Sequence, residues 1–458
     1  MSTLEHNLKP GSRVLLIHPP VADTAEAEDL DMLTCVPPIG LLRVASHLRQ
    51  RGCQVELLDC LAEARRVGRL RREARCAHRC GNWEEEGRRK PMHHFGLEPE
   101  ELSRRLGVGP PADLVALGAT FTWHLPGLRE VVQACRSAWP ATPVVVGGNA
   151  VSLCPEEAEG LEADGLVAGQ LLDGAFLPTA IDLLPDRSTD FLQLVKGCPH
   201  RCSYCVTPRL HGGKVRARPP EEVFRELCAK QAAHATRCFV FYDDFILYRQ
   251  ERHLDPFLDL VAQERPGVVL EFALGFSAHL MTEALAARLR GAGVERVILA
   301  LETTSEERGR RMHRPQHIAQ FIRAVEILRA AGFRGPGLRA FYLIGLPDQT
   351  TREILQAILF LYHLGVTPSL TAYALTPGSE DMLRFGSRVA DRGLEELAPG
   401  LWPFAHPGMR VRELDALYRY FHERFIPPER IAASRTEDPV VRQMQAILAR
   451  RAHLPENW

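Results

Sequence analysis

Residues 195–205 read Val-Lys-Gly-Cys-Pro-His-Arg-Cys-Ser-Tyr-Cys and bring Cys198, Cys202 and Cys205 onto one short segment. The spacing is C-x3-C-x2-C, and it follows the apolar stretch 191–195. Three thiolates this close together can hold three corners of a cubane iron–sulfur cluster. No fourth cysteine follows at a regular interval, so one iron would keep an open coordination position. An open position suits a catalytic cluster that binds a substrate or cofactor.

Two alternatives exist for the same three cysteines. A structural zinc site usually closes with a fourth Cys or His ligand, and His200 and His211 are nearby candidates. Structural cysteines without any metal are the second alternative. The sequence downstream must decide between these interpretations, because a three-cysteine spacing is short enough to occur by chance.

The bulk properties of the chain set limits on its class. A length of 458 residues accommodates two or three domains. A net charge of −1 indicates no basic field for binding nucleic acid. No apolar run reaches the roughly 18 residues that span a bilayer, and no signal-peptide pattern opens the chain. With 12 cysteines and no export signal, we predict a protein of the reducing cytoplasm, without a membrane partner.

The N-terminal part alternates short apolar runs with amphipathic stretches. This alternation predicts a doubly wound parallel sheet, whose ligands bind at the carboxyl ends of the strands. A polar, Arg-rich insertion over about 62–109 is predicted to be partly helical, and Cys76, His78 and Cys80 within it are candidates for an auxiliary metal site. The predicted strands are 13–18, 54–58, 113–117, 144–148 and 165–168.

The alternation restarts near residue 189 and predicts six strand–helix units. Six units are too few for a closed eight-fold barrel, so we predict an open, partial α/β barrel with its chemistry at the carboxyl ends of the strands. The domains are expected over 1–185, 186–386 and 387–458, the last as a helical cap on the barrel. The predicted barrel strands are 191–195, 239–242, 268–274, 296–301, 337–344 and 368–375.

The cysteine loop after the first barrel strand, and the order of the motifs behind it, resemble the radical S-adenosylmethionine (SAM) superfamily over about residues 190–380. The resemblance implies that Cys198, Cys202 and Cys205 ligate a 4Fe-4S cluster whose fourth iron binds SAM. It also implies that an electron from a reductant such as flavodoxin or ferredoxin cleaves SAM to methionine and a 5′-deoxyadenosyl radical.

The same resemblance implies a set of SAM contacts. The aromatic residue before the third cysteine lies beside the adenine, and two aspartates after the second strand bind the amino group. A Glu-Thr pair after the fourth strand contacts the ribose and the carboxylate, and the end of the fifth strand stacks on the adenine. Arg314 is expected to be a solvated arginine. The implied SAM set is Tyr204, Asp243, Asp244, Glu302, Thr303, Ile344, Gly345 and Pro347.

The N-terminal domain resembles the cobalamin-binding domain that is fused to many radical SAM enzymes, through residues 15–20, 37–41 and 144–148. The Asp-x-His-x-x-Gly loop of other cobalamin folds is absent, and Gly169-Gln170 stands where a Gly-Glu-Gly-Glu turn is usual. The resemblance implies cobalamin as a further cofactor. Its implied contacts are Thr120, Thr122, Gly147, Gly148 and Asn149.

These resemblances imply a Rossmann-like, cobalamin-binding type of domain followed by a radical SAM core. The expected activity is cobalamin-assisted methylation, or another radical modification, of an unactivated carbon in a natural product or peptide. A methylthiotransferase acting on tRNA or protein is a second hypothesis, although it would need three more cluster cysteines near the N-terminus. A non-catalytic metal-binding protein is a third.

Overall fold

The computed structural model describes residues 8–23, 37–66, 71–79, 89–169, 175–314 and 317–404, with the single positions 414, 417, 418 and 442. Side chains are described in these ranges except at 22–23, 64–66, 71–79, 89–94 and 126. Among these residues, no helix has both the length and the apolar character needed to cross a membrane.

The N-terminal domain contains a five-stranded parallel sheet, as predicted. Its strands are β1 (Arg13–His18), β2 (Gln54–Asp59), β3 (Leu114–Gly118), β4 (Val144–Gly147) and β5 (Gly165–Val167), in the spatial order β2-β1-β3-β4-β5. The order reverses between β1 and β3, which places a ligand-binding crevice at the carboxyl ends of those two strands. Helices of this domain span Ile39–Gln50, Cys60–Arg66, Pro99–Leu106, Leu125–Ala138, Asn149–Leu153 and Pro155–Glu159.

Apolar side chains cover both faces of this sheet. On β1, Val14 and Leu16 enter one buried cluster, whereas Ile17 enters another on the opposite face. Burial on both faces explains why β1 is a nearly continuous apolar run instead of an alternating one.

The predicted insertion contains strands as well as helices. Strands Val21–Asp23, Arg71–Arg79 and Arg89–Phe95 form a three-stranded antiparallel sheet. The sequence predicted a partly helical insertion and did not predict these strands. The candidate auxiliary metal site lies outside the described residues, since Cys80 and the side chains of Cys76 and His78 are not described.

The second domain contains six parallel strands, as the partial-barrel prediction required. They are β6 (Thr189–Leu192), β7 (Cys238–Phe241), β8 (Val269–Phe272), β9 (Val297–Glu302), β10 (Gly335–Ile344) and β11 (Val366–Ala372). Two three-stranded sheets, β8-β7-β6 and β9-β10-β11, are joined by a parallel bridge between Phe276 and Leu299. The accompanying helices span Thr207–His211, Pro220–His234, Leu254–Glu264, Glu283–Gly291, Glu306–Arg311, Ile318–Ala330, Thr351–His363 and Glu380–Phe385.

The barrel core lies between the strands and the surrounding helices. Alternate strand residues, such as Phe239 and Phe241 on β7, are fully buried in one large apolar cluster with residues of the helices. Thr282 caps the helix Glu283–Gly291 by accepting a hydrogen bond of 3.2 Å from the backbone N–H of Leu285.

The segment expected to cap the barrel begins with 3₁₀ turns at Gly386–Val389, Leu394–Leu397 and Pro399–Leu401. Trp402 then packs into the barrel core, together with Leu414 and Leu417. Most of the predicted helical cap beyond 404 lies outside the described residues.

Candidate functional site: the cysteine loop at the mouth of the barrel

The cysteine loop begins with a glycine that the backbone requires. Val195–Lys196 forms a short antiparallel pair with Arg216–Ala217, and the chain turns at Gly197 with φ +90°. A Cβ atom on Gly197 would overlap the carbonyl oxygen of Lys214. Only glycine combines this backbone conformation with so close an approach.

Two carboxylates, one buried and one partly exposed, hold the base of the loop. Asp243 Oδ1 accepts hydrogen bonds from the backbone N–H groups of Leu194, at 2.8 Å, and Val195. Asp244 Oδ2 accepts one from Gly197 at 2.7 Å and lies 3.4 Å from His211 Nε2. The predicted SAM-amine contacts therefore have a role that the sequence did not suggest, since they fix the path of the chain into the cysteines.

The electrostatic states of these groups differ from those of free side chains. Burial raises the pKa of Asp243 to about 8, and among the described residues its Oδ2 atom has no hydrogen-bond partner. Burial also raises the pKa of Cys198 to about 12 and that of Cys205 above its ordinary value. Without a metal these cysteines remain thiols, whereas an iron–sulfur cluster binds them as thiolates and compensates for the burial.

The donor set fits a cluster with three cysteine ligands. Cys198, Cys202 and Cys205 are free, partly exposed thiols on one loop. His211 faces Asp244, and the ring of His200 packs edge-on against Phe245 with centroids 4.6 Å apart. Within the described ranges, no group of three or more His, Cys, Asp or Glu side chains is arranged to hold a single metal ion.

The tip of the loop is fastened to the far side of the barrel. Ser203 donates its backbone N–H to the carbonyl of Met312 at 3.1 Å and accepts from the N–H of Asp381 at 2.9 Å. Tyr204 packs against an apolar cluster that includes Leu343 of β10. These contacts place the cysteines over the carboxyl ends of the parallel strands, where α/β barrels bind their ligands.

Arg314 lies at the centre of this region and is not solvated as expected. Its Nη1 atom donates to Tyr204 Oη at 3.1 Å and lies 3.7 Å from Cys202 Sγ, while Nη2 donates to the carbonyl of Ala300 at 3.0 Å. Burial alone would disfavour its charge, but Tyr204, Glu302 and Cys202 outweigh that effect and raise the pKa of Arg314. In the sequence, the feature that could have indicated this role is the position of Arg314, which closely follows the short helix after Glu302.

Glu302 and Thr303 lie at the carboxyl end of β9, as predicted. Glu302 has φ +66°, and burial raises the pKa of its carboxyl group, opposed by Arg314. Such a left-handed conformation in a residue other than glycine is uncommon and costs free energy. The Thr303 hydroxyl accepts a hydrogen bond from the N–H of Ser305 at 3.1 Å.

The end of the fifth barrel strand is occupied by the protein's own contacts. Gln349 Oε1 accepts from the N–H groups of Gly345 at 2.8 Å and Leu346 at 3.3 Å, and the Pro347 carbonyl accepts from Arg308 Nη1 at 2.8 Å. Gly345 has φ +81°, and a Cβ atom there would lie 2.7 Å from the ring of Trp402. Trp402 packing therefore explains this glycine, and the Ile344 side chain is fully buried.

The predicted cobalamin contacts gather at the carboxyl edge of the N-terminal sheet. Thr120, Gly148 and Asn149 are exposed there, Gly147 is partly exposed, and Thr122 is buried. Gly148 has φ +106°, and a Cβ atom would overlap the carbonyl oxygen of Ala119. The donor set at this open edge of glycines and small polar groups fits a large, flat ligand.

Two histidines near this edge are not among the predicted cobalamin or SAM contacts. His18 Nδ1 lies 3.0 Å from Asp59 Oδ1, and Asp59 also accepts from the N–H groups of Leu61 and Ala62. His124 has a buried Nε2 atom without a hydrogen-bond partner in the described part of the chain, and burial lowers the pKa of His124 to about 4. His18 ends β1, and His124 lies in the 3₁₀ turn Thr122–His124 that follows β3, so both follow strands that flank the reversal in strand order.

Comparisons with known protein families match both halves of the chain. The model of the radical SAM superfamily matches residues 192–361, and that of the B12 binding domain matches residues 95–171. Of the curated proteins, a tRNA-2-methylthio-N(6)-dimethylallyladenosine synthase from Desulfosudis oleivorans is 25% identical over 239 residues. That alignment covers 50% of this chain and 51% of the relative, so the chain spans about half the length of this relative.

Solved structures share the fold across both domains. The radical SAM methyltransferase TsrM from Kitasatospora setae, bound to tryptophan and a SAM analogue, has a TM-score of 0.59 at 15% identity, over 83% of this chain and 77% of its own. The cobalamin-dependent SAM radical enzyme OxsB, bound to aqua-cobalamin and SAM, has a TM-score of 0.54 at 12% identity, over 97% and 62%. At such identities the likeness shows a common fold.

Proposed function

Because the chain belongs to the radical SAM superfamily and carries a B12-binding domain, we propose that it is an enzyme that cleaves SAM reductively and modifies an unactivated carbon. A 4Fe-4S cluster on Cys198, Cys202 and Cys205 would supply the electron that converts SAM to methionine and a 5′-deoxyadenosyl radical. The radical would then abstract hydrogen from the substrate.

The arrangement of Cys202, Tyr204, Glu302 and Arg314 is the observation that carries this proposal. One guanidinium lies 3.7 Å from a predicted cluster ligand and 3.1 Å from the hydroxyl of a predicted SAM contact. A partly buried carboxylate faces the same guanidinium. Residues far apart in the sequence thus meet at the barrel mouth. They form a polar site suited to a ligand that carries both positive and negative charge.

The residues predicted to contact SAM have distinct tasks in the proposed reaction. Asp243 and Asp244 hold the base of the cysteine loop, and Tyr204 shields one side of the site from water. Glu302 and Thr303 would contact the ribose and carboxylate of SAM, and the backbone around Ile344, Gly345 and Pro347 would border the adenine. Preorganised polar groups of this kind limit the reorganisation that accompanies the reaction.

Cobalamin would bind at the edge formed by Thr120, Thr122, Gly147, Gly148 and Asn149. When bound as methylcobalamin it would supply a methyl group, which makes methylation the favoured reaction. We propose a small molecule or peptide as the substrate, and flavodoxin or ferredoxin as the electron donor in a cytoplasmic setting.

A methylthiotransferase is the second candidate, and the alignment with the tRNA-modifying synthase favours it. In the described part of the N-terminal domain, however, Cys53, Cys60, Cys135 and Cys154 are all buried in apolar surroundings. Such positions suit packing more than a second cluster. An iron content of about four per chain would favour the methyltransferase, and about eight would favour the alternative.

The proposal is tested by anaerobic reconstitution with iron and sulfide, followed by SAM and dithionite, with 5′-deoxyadenosine as the assayed product. Wild type and the control Cys228→Ala, which alters a cysteine outside the loop, should form the product. Cys202→Ala should form none. A reconstituted cluster that never cleaves SAM in the wild type would contradict the proposal.

A further inference from the structure

We propose that Arg314 is a positioning residue that raises the reduction potential of the cluster, by donating a hydrogen bond to the sulfur of Cys202. The inference rests on the proposed function, because it concerns the cluster that Cys202 would hold. Nothing in the cysteine motif itself points to this residue, which is more than a hundred positions away in the chain.

The first argument is the geometry of the guanidinium. Arg314 Nη1 lies 3.7 Å from Cys202 Sγ, within the range of hydrogen bonds to sulfur, and it also donates to Tyr204 Oη at 3.1 Å. Nη2 is anchored on the carbonyl of Ala300 in strand β9 at 3.0 Å. The planar fork is therefore fixed by the barrel, and its direction toward the sulfur does not depend on the loop alone.

The second argument is the rigidity of the segment that carries Arg314. The Met312 carbonyl accepts the N–H of Ser203 at 3.1 Å, and the His313 carbonyl lies 4.0 Å from Cys202 Sγ. Three consecutive residues, 312–314, thus contact the cysteine loop. A donor held in this way keeps a constant distance to the sulfur when the charge of the cluster changes.

The third argument is the balance of charge around the guanidinium. Glu302 and Tyr204 face it, and two histidines, His200 and His279, are close enough to interact with its charge. Among the described residues, Arg314 is the cationic side chain within hydrogen-bond distance of the sulfur of Cys202.

A cluster that accepts an electron gains one negative charge. Hydrogen bonds to its sulfur ligands, and the local net charge, are among the factors that set its reduction potential. A fixed cation at this distance stabilises the reduced form more than the oxidised form, because the attraction grows with the negative charge. Arg314 would thereby make reduction of the cluster accessible to a milder biological reductant.

The test is an EPR-monitored redox titration of the reconstituted holoenzyme without SAM. Arg314→Gln should lower the equilibrium constant for one-electron reduction by about tenfold or more, which corresponds to about 59 mV. Arg314→Lys, which keeps the charge but loses the fork, should shift it in the same direction by less. Arg311→Gln, at an exposed arginine three positions earlier, should leave the potential unchanged.

A purely structural role would predict a different result. If Arg314→Gln holds a full cluster with the wild-type potential, the inference is overturned. Its rate of SAM cleavage should fall with a mild reductant and recover with Ti(III) citrate, which a merely disordered loop would not do. If Arg314→Gln fails to assemble the cluster, Arg314→Lys decides: a lowered potential supports the inference, and an unchanged potential overturns it. A wild type without any redox-active cluster would instead refute the proposed function.

Discussion

The cysteine loop and the edge of the N-terminal sheet both lie at the carboxyl ends of parallel strands, yet they are built in opposite ways. The loop is tied down by Asp243, Asp244 and Arg314, whose polar atoms are largely buried. The edge instead exposes Thr120 and Asn149, and its backbone turns at a glycine.

This difference indicates two modes of ligand binding. A small inorganic cluster needs its ligands at set positions, so the protein fixes the loop before the cluster binds. A large, flat cofactor covers a broad surface, and an open edge of small residues can accept it. Substitutions should therefore have large effects on assembly at the loop and small effects on folding at the edge.

The largest effect is expected from Gly197→Ala. The added Cβ would overlap the carbonyl of Lys214, and φ at this position is +90°. The loop must then change its path, and we expect iron content after reconstitution to fall by roughly tenfold, since strain of this kind is not relieved locally. Gly291→Ala, at a helical glycine with open space around it, is the control, and equal iron content in both variants would contradict the prediction.

The second largest effect, a loss of stability, is expected when the Trp402 ring is removed. Trp402 is 1% exposed and packs on Gly345, so Trp402→Ala should cost about 3–5 kcal/mol of unfolding free energy. Phe121, at the edge of the N-terminal domain, is 48% exposed, and Phe121→Ala should cost less than about 1 kcal/mol. Thermal melting of the three proteins compares the two regions directly, and similar losses at both sites would remove the contrast between them.

The buried carboxyl group of Asp243 predicts a pH dependence. Its pKa is raised by burial to about 8, so the folded protein binds this proton more tightly than the unfolded chain does. The associated stability is fully present below the ordinary pKa of an aspartate and is lost as pH rises through about 8. Melting temperatures of Asp243→Asn should therefore fall less than those of wild type between about pH 6 and 8.5.

The control for this experiment is Asp259→Asn, which changes a largely exposed aspartate paired with Arg288. It should follow the wild-type pH dependence. Parallel curves for wild type and Asp243→Asn would show that Asp243 is ionised throughout this range.

The smallest effect on folding is expected at the open edge. Asn149 is exposed, so Asn149→Ala should change stability by less than about 0.5 kcal/mol. If this edge binds cobalamin, the same variant should weaken its binding severalfold in an optical titration. An unchanged affinity, with Thr120→Ala also unchanged, would move the cofactor away from this edge.

The strands and the cysteine loop could be predicted because they depend on local patterns. Apolar runs such as 14–17 and 239–241, and the polar residues that follow them, indicate buried strands without any knowledge of their neighbours. The partners of Arg314 and Gly345 could not be predicted in the same way. Arg314 resembles any arginine of a polar turn, and the ring that explains Gly345 comes from a residue 57 positions later, Trp402.

By itself, the sequence determined the α/β class, the alternation of strands and helices and the three thiols, because strand periodicity and ligand spacing are properties of adjacent residues. Only the tertiary structure decided that Asp243 and Asp244 support the loop and that Arg314 reaches Cys202 across the barrel mouth. The physical reason is that a hydrogen bond or a buried charge depends on distances between elements. Those distances are set by how the strands and helices pack, and they cannot be derived from the pattern of adjacent residues alone.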